Sequence, residues 1–152
     1  MPKFRCEVAI PTRGLFSGDV DYAKIPGVDG DFGVLSGHES FVGLNRDGIM
    51  TLWMDADGKE RKEFLISGGC TQVLNNHLSV LPRFGSELSE IDLEDVTPKI
   101  EPLKAEIAEK QAEYEAAEGE EREALEATVR TMQERLAWYE LKAKVKSSGG
   151  VM

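Results

Sequence analysis

Cysteine and histidine are scarce here, with two of each in 152 residues. Cys6 and Cys70 form no CxxC pair, so zinc-ribbon and dithiol redox chemistry lack their spacing. Both thiols are expected as small buried hydrophobes. His38 and His77 belong to no HExxH, and there is no nucleophile elbow. No catalytic residue, metal ligand set or cofactor is therefore assigned. Long apolar runs are also missing, and none approaches the ~20 residues that span a bilayer. The start, MPKFRCEVAI, lacks the apolar stretch of a signal peptide, and acidic residues come too early for a transit peptide. The mature protein is expected to begin at Met1, in a reducing compartment. Basic residues are the minority, 18 against 28 acidic, for a net charge of −10. Affinity for nucleic acid comes mainly from Lys and Arg, so nucleic acid is not an expected partner.

Glycine, in contrast, is concentrated. IPGVDGDFGVLSGHES, residues 25–40, holds Gly27, Gly30, Gly33 and Gly37. A phosphate loop needs GxxxxGK[ST], but here His38 and Glu39 follow Gly37, and Asp29 and Asp31 would repel phosphate. The spacing of a calcium loop is missing as well. What the residues themselves predict is a series of tight chain reversals.

The two halves differ in period and charge. Residues 1–86 read as short strands. In KFRCEVAI, Phe4, Cys6, Val8 and Ile10 share one face. TRGLFSGD reads as a turn before VDYAKI. GIMTLWM is apolar on both faces and predicts an interior strand. Asp55 to Gly58 offers a hairpin turn, and Asn75-Asn76 a two-residue one, since Asn tolerates positive φ. Eight or nine short strands result, which suits an antiparallel sandwich or flattened barrel.

Residues 87–146 read as helix, and residues 147–152 as a disordered tail. Ser89 with Asp92, and Thr97 before Pro98, are capping signals. Pro102 would cost ~3 kcal/mol inside a helix begun at Pro98. The expectation is therefore a short turn near residues 91–96 and a main helix starting close to Pro102. Leu103, Ile107 and Tyr114 line its face, and Gly119 breaks it. A second helix carries Leu125, Val129, Met132, Leu136 and Tyr139 as a heptad-like stripe, with Trp138, Leu141 and Val145 as another. The short connection makes the two helices antiparallel neighbours. Charge is segregated: residues 87–126 carry 15 acidic and 4 basic side chains, residues 127–146 carry 2 and 5. Arg135, Lys142, Lys144 and Lys146 complement the helix macrodipole towards its C-terminus, or the basic helix end meets an acidic partner.

Residues 20–48, VDYAKIPGVDGDFGVLSGHESFVGLNRDG, resemble the epsilon subunit of rotary F-type ATP synthases. Pro26, Gly27, Gly30, Gly33, Val34, Leu35, Gly37, His38 and Gly48 match that family's pattern, while Ser36 replaces its usual proline. FRCEVAIPTRGLFSGDV and FLISGGCTQVLNNHLSVL resemble two further family segments, the latter through Gly68, Gly69, Val73, Asn76 and Leu81. The resemblance implies an N-terminal ten-stranded antiparallel β-sandwich followed by an antiparallel two-helix hairpin. It implies a non-catalytic rotor subunit, peripheral to the cytoplasmic face of a bacterial cell membrane, that couples c-ring rotation to ATP synthesis. Its partners would be the gamma subunit and the c-ring loops, and the alpha/beta catalytic head when the hairpin extends and inhibits hydrolysis. Asp29 and Asp31 would face the ring and His38 the gamma subunit. Arg130, Arg135, Lys142, Lys144 and Lys146 of the second helix would meet the head. Some members hold ATP through I/L-D-x-x-R-A. Here Ile91 and Asp92 begin that motif, but Asp95 stands in place of its arginine, so no ATP is expected to bind.

Overall fold

Alternating burial in FRCEVAI builds β1 (Phe4–Ile10), whose Phe4, Cys6 and Val8 are buried while Arg5 and Glu7 point outward. The computed structural model describes residues 2–149. The remaining strands are β2 (Arg13–Val20), β3 (Tyr22–Ile25), β4 (Phe32–Val34), β5 (Phe41–Leu44), β6 (Gly48–Trp53), β7 (Arg61–Ser67), β8 (Cys70–Leu74), β9 (His77–Leu81) and β10 (Phe84–Glu87). RGLFSGDV is thus a strand and not the expected turn. Its pairing with β1, interrupted by an irregularity at Val8/Ala9, overrides the turn-forming composition.

Two five-stranded sheets result, in the orders β2-β1-β9-β8-β5 and β10-β7-β6-β3-β4. The ten strands among the described residues match the count implied by the resemblance and exceed the eight or nine read from turn signals. β6 is interior, as its two apolar faces require. All pairs are antiparallel except β1 with β9, which run parallel with Arg5 opposite His77. One core fills the sandwich, from Phe4, Val8, Val20, Ile25, Met50, Leu52, Phe64, Ile66, Leu78 and Val80 among others. Asn75 and Asn76 take φ of 51° and 63°, the left-handed pair that a two-residue turn demands.

Cys6 is buried in that core, but Cys70 is half-exposed, because its strand turns it to the outer face. Burial pushes the Cys6 thiol up to about 12, with Glu7 adding to the rise and Arg5 opposing it. A raised value keeps the thiol protonated at any pH below it, and only the thiolate attacks. A disulfide reagent at pH 8 is therefore expected to modify Cys70 in the native chain and Cys6 only in denaturant. Peptide mapping reads the sites, and equal native rates would contradict this.

The chain divides into two compact units, with Glu90 closing the first and Ile91 opening the second. The second holds α1 (Leu93–Ala116) and α2 (Gly119–Ser147), packed as neighbours. α1 starts nine residues before Pro102 and runs through both prolines, contrary to the expected short turn. Asp92 supplies the cap, its side chain accepting from the Glu94 N–H at 3.0 Å. That cap, the burial of Val96 and Leu103, and the neighbouring helix together outweigh the proline penalty. In α2 the buried residues are Val129, Trp138 and Val145, while Leu125, Met132, Leu136 and Tyr139 of the heptad-like stripe are only half-buried. α2 runs one residue past the expected end of the helical segment. Of the tail read as disordered, residues 150–152 lie outside the described residues.

Candidate functional site

The glycine-rich stretch does not form one pocket. Val28 N–H donates to Leu44 O at 3.0 Å and Arg46 N–H to Pro26 O at 3.0 Å, which ties loop 26–31 to the end of β5. Asn45 fastens that end further. Its side-chain amide donates to Gly68 O at 3.0 Å, its Oδ1 accepts from buried Thr71 at 2.6 Å, and its N–H donates to Gly69 O at 2.9 Å. The later part of the stretch goes elsewhere. Gly37, at φ +84°, turns its N–H to Asn76 Oδ1 at 2.7 Å. Gly68 and Asn76 flank opposite ends of β8. Asp29 and Asp31 therefore sit at one end of the sandwich and His38 at the other, a strand of roughly 15 Å apart.

At the first end Asp29 is exposed and has no ion pair among the described residues. Asp31 is held by two cations of its own chain, Lys24 at 3.7 Å and Arg46. Its charge is thus partly answered already, and the loop presents a mixed polar rim. At the other end His38 is half-buried, with Nδ1 2.7 Å from Glu39 O and its ring edge-on to Phe41 at 6.4 Å. His77, read as a surface residue at a strand start, does open β9 and lies 3.4 Å from Glu7.

Between these ends lies a feature that the sequence reading missed. β5 is an edge strand, and in register with β8 it places Val42 beside Gln72 and Leu44 beside Cys70, on the outer face of the sheet. Val42 is 71% exposed, Leu44 64%, Leu74 46% and Leu81 45%. Cys70 lies opposite Leu81, so Leu44, Cys70 and Leu81 form a row across three strands; Val42 extends this apolar strip along β5, and Leu74 lies on the same face beyond Gln72. The signal was present: FVGL is apolar throughout, and period-2 alternation must put half of it on each face. Only the fold shows which half faces outward and stays uncovered.

The basic residues of α2 do not share one face. At 100° per residue, Arg135, Lys142 and Lys146 fall within a narrow sector, while Arg130 and Lys144 fall on the other side. Arg130 pairs with Glu126 at 3.8 Å. Lys142 is half-buried over Trp138 and Tyr139, at 5.6 Å and 5.9 Å. Ile91 is buried, Asp92 caps α1, and Asp95 binds Lys99 at 3.2 Å. Asp95 thus already neutralises a cation of its own helix. No cluster of three metal-ligating side chains occurs among the described residues.

Over residues 3–83 the chain matches the family described as ATP synthase, Delta/Epsilon chain, beta-sandwich domain. It is 35% identical over 111 residues to ATP synthase epsilon chain 1 of Nitrobacter hamburgensis, covering 73% of this chain and 80% of that one. It is 35% identical over 107 residues to an ATP synthase epsilon chain of Rhodopseudomonas palustris, covering 70% and 77%. In fold it is similar to a chain of the Euglena gracilis mitochondrial ATP synthase, with TM-score 0.55, 23% identity and coverage of 83% and 75%. A chain from the central stalk and c-ring of the Tetrahymena thermophila mitochondrial enzyme gives TM-score 0.50, 13% identity and coverage of 59% and 70%.

Proposed function

This chain belongs to the ATP synthase delta/epsilon family, and from that premise we propose that it is a non-catalytic rotor subunit that docks by its sandwich between the gamma subunit and the c-ring loops. The observation that carries the reading is the exposed apolar strip Val42, Leu44, Leu74 and Leu81, which runs between the His38 turn and the Asp29–Asp31 loop. Large apolar side chains gathered on one exposed sheet face mark a partner surface. The gamma subunit covers it, with His38 at the margin. The acidic loop then meets basic residues of the c-ring loops across a polar rim. Rotation of the ring is passed to gamma through the short span of sheet between them.

Residues 1–86 are the rotor-binding part in this reading, and residues 87–146 a regulatory hairpin. Its basic end, through Arg130, Arg135, Lys142, Lys144 and Lys146, meets the alpha/beta head when extended. No described helix is long and apolar enough to cross a membrane. The chain reaches the membrane through its partners, on the cytoplasmic face.

Asp31→Lys tests the ring contact. It removes the anion shared by Lys24 and Arg46 and leaves three cations together. Binding to membranes carrying the c-ring is expected to weaken by roughly tenfold or more, while gamma capture stays within about twofold. Unchanged membrane binding, in a variant that melts as the parent does, would remove the ring from this loop.

A further inference from the structure

Pro98 and Pro102 stand one turn apart in α1, and both are exposed. Neither has an N–H to donate. The carbonyls of Glu94 and Pro98, four residues earlier, therefore lose their helical partners. No other proline lies within either helix, so the backbone ladder is weakest where these turns join the rest of α1.

A second set of contacts crosses to the end of α2 at that place. Leu93, Thr97, Ile100 and Lys104 line one groove with residues 140–147 of α2. Lys99 Nζ lies 3.2 Å from Asp95 Oδ2 and 6.0 Å from the centroid of the Tyr139 ring. Lys142 Nζ lies 5.9 Å from the same ring and 5.6 Å from that of Trp138. One aromatic ring thus attracts cations from both helices. The two cations also oppose one another. Burial first, and then Lys99, hold Lys142 below its ordinary lysine value, with Asp95 acting the other way.

We propose that residues 92–101 form a flap, hinged at Pro98 and Pro102 and clasped to the end of α2 by Asp95, Lys99, Tyr139 and Lys142, that opens while the remainder of the helix pair stays closed. The prolines reduce the backbone bonds that opening must break. The clasp and the burial of Val96 together set how often opening happens, and the mutual repulsion of the two lysines weakens the clasp. Opening is a property of the isolated chain, so it stands or falls apart from the coupling role proposed above.

Hydrogen exchange of the full-length isolated chain, read by mass spectrometry at neutral pH, tests this. Amides of residues 94–101 are expected to exchange roughly tenfold or more faster than those of residues 105–116. Pro98→Ala with Pro102→Ala restores two donors and should slow the segment by about tenfold. Tyr139→Leu keeps apolar bulk and should speed it by about fivefold, leaving residues 122–135 unchanged. Equal protection of the two α1 segments in the parent chain overturns the flap. Unchanged exchange after proline replacement means ordinary fraying of a helix end and overturns the hinge. Faster exchange throughout both helices in Tyr139→Leu overturns the clasp.

Discussion

Val42→Glu combined with Leu44→Glu is expected to weaken capture of this chain by the gamma subunit at least about a hundredfold, while leaving its melting temperature nearly unchanged. The two side chains are 71% and 64% exposed, so the isolated sandwich scarcely depends on them. Fully burying a Val or Leu against a partner is worth ~1.5–3 kcal/mol. Two such residues, each already about a third buried, supply roughly 2–4 kcal/mol, and a hundredfold in affinity is about 2.7 kcal/mol. Each glutamate also places a charge where desolvation leaves it unpaired, which adds to the loss. Titration of labelled gamma subunit with the chain measures the effect. The strip is not the gamma surface if affinity survives. Leu74→Glu, on the neighbouring strand, should give a smaller loss, since its side chain is already less exposed.

Gly69→Ala is the second large effect, and it acts on the fold. Gly69 adopts φ +73°, and a Cβ there would lie 2.0 Å from Leu81 O and 2.7 Å from Pro82 Cα. Both atoms are backbone, so no side chain can swing aside. Forcing an L-residue into this region costs about 1–3 kcal/mol before any clash is counted. Relief of the clash must shift the β8–β9 backbone, and Gly69 O would carry its bond to Asn45 N–H with it. The buried Asn45–Thr71 hydrogen bond adjoins the same loop. A loss of about 3 kcal/mol or more, seen as a fall of roughly 12 °C or more in Tm, is expected for a unit of this size. Gly14→Ala serves as the control, because a Cβ at Gly14 meets nothing within 4 Å. Similar melting of the two variants would contradict the argument.

Turns were legible in the sequence because they depend on local chemistry. Asn75-Asn76 announced its hairpin, and Gly27, Gly30 and Gly37 announced reversals, whereas Gly33 lies inside β4. The division into sandwich and helices was legible from the change in period and charge. Three features were not legible, for a common reason. RGLFSGDV contains two glycines and becomes a strand because β1 lies beside it. Pro98 and Pro102 sit inside a helix because α2 and the Asp92 cap support α1. The parallel pairing of β1 with β9 joins segments with no local relation. Tertiary contact decided each one. The apolar strip belongs with them, since FVGL reads the same in a central strand as at an edge. For the acidic loop, sequence placed Asp29 and Asp31 together, but only the fold reveals that Lys24 and Arg46 already attend Asp31.

The parallel pair also bears on the order in which the chain can fold. β1 precedes the other nine described strands in the chain, yet in its sheet it lies between β2 and β9. β2 can reach it at once as a hairpin partner. β9 ends at Leu81, so the sheet must wait until most of the sandwich has been synthesised before β1 gains its second neighbour. Long loop closures of this kind slow folding, whereas contacts between adjacent helices are local and form fast. During that wait the pairing edge of β1 is open to strands of other nascent chains.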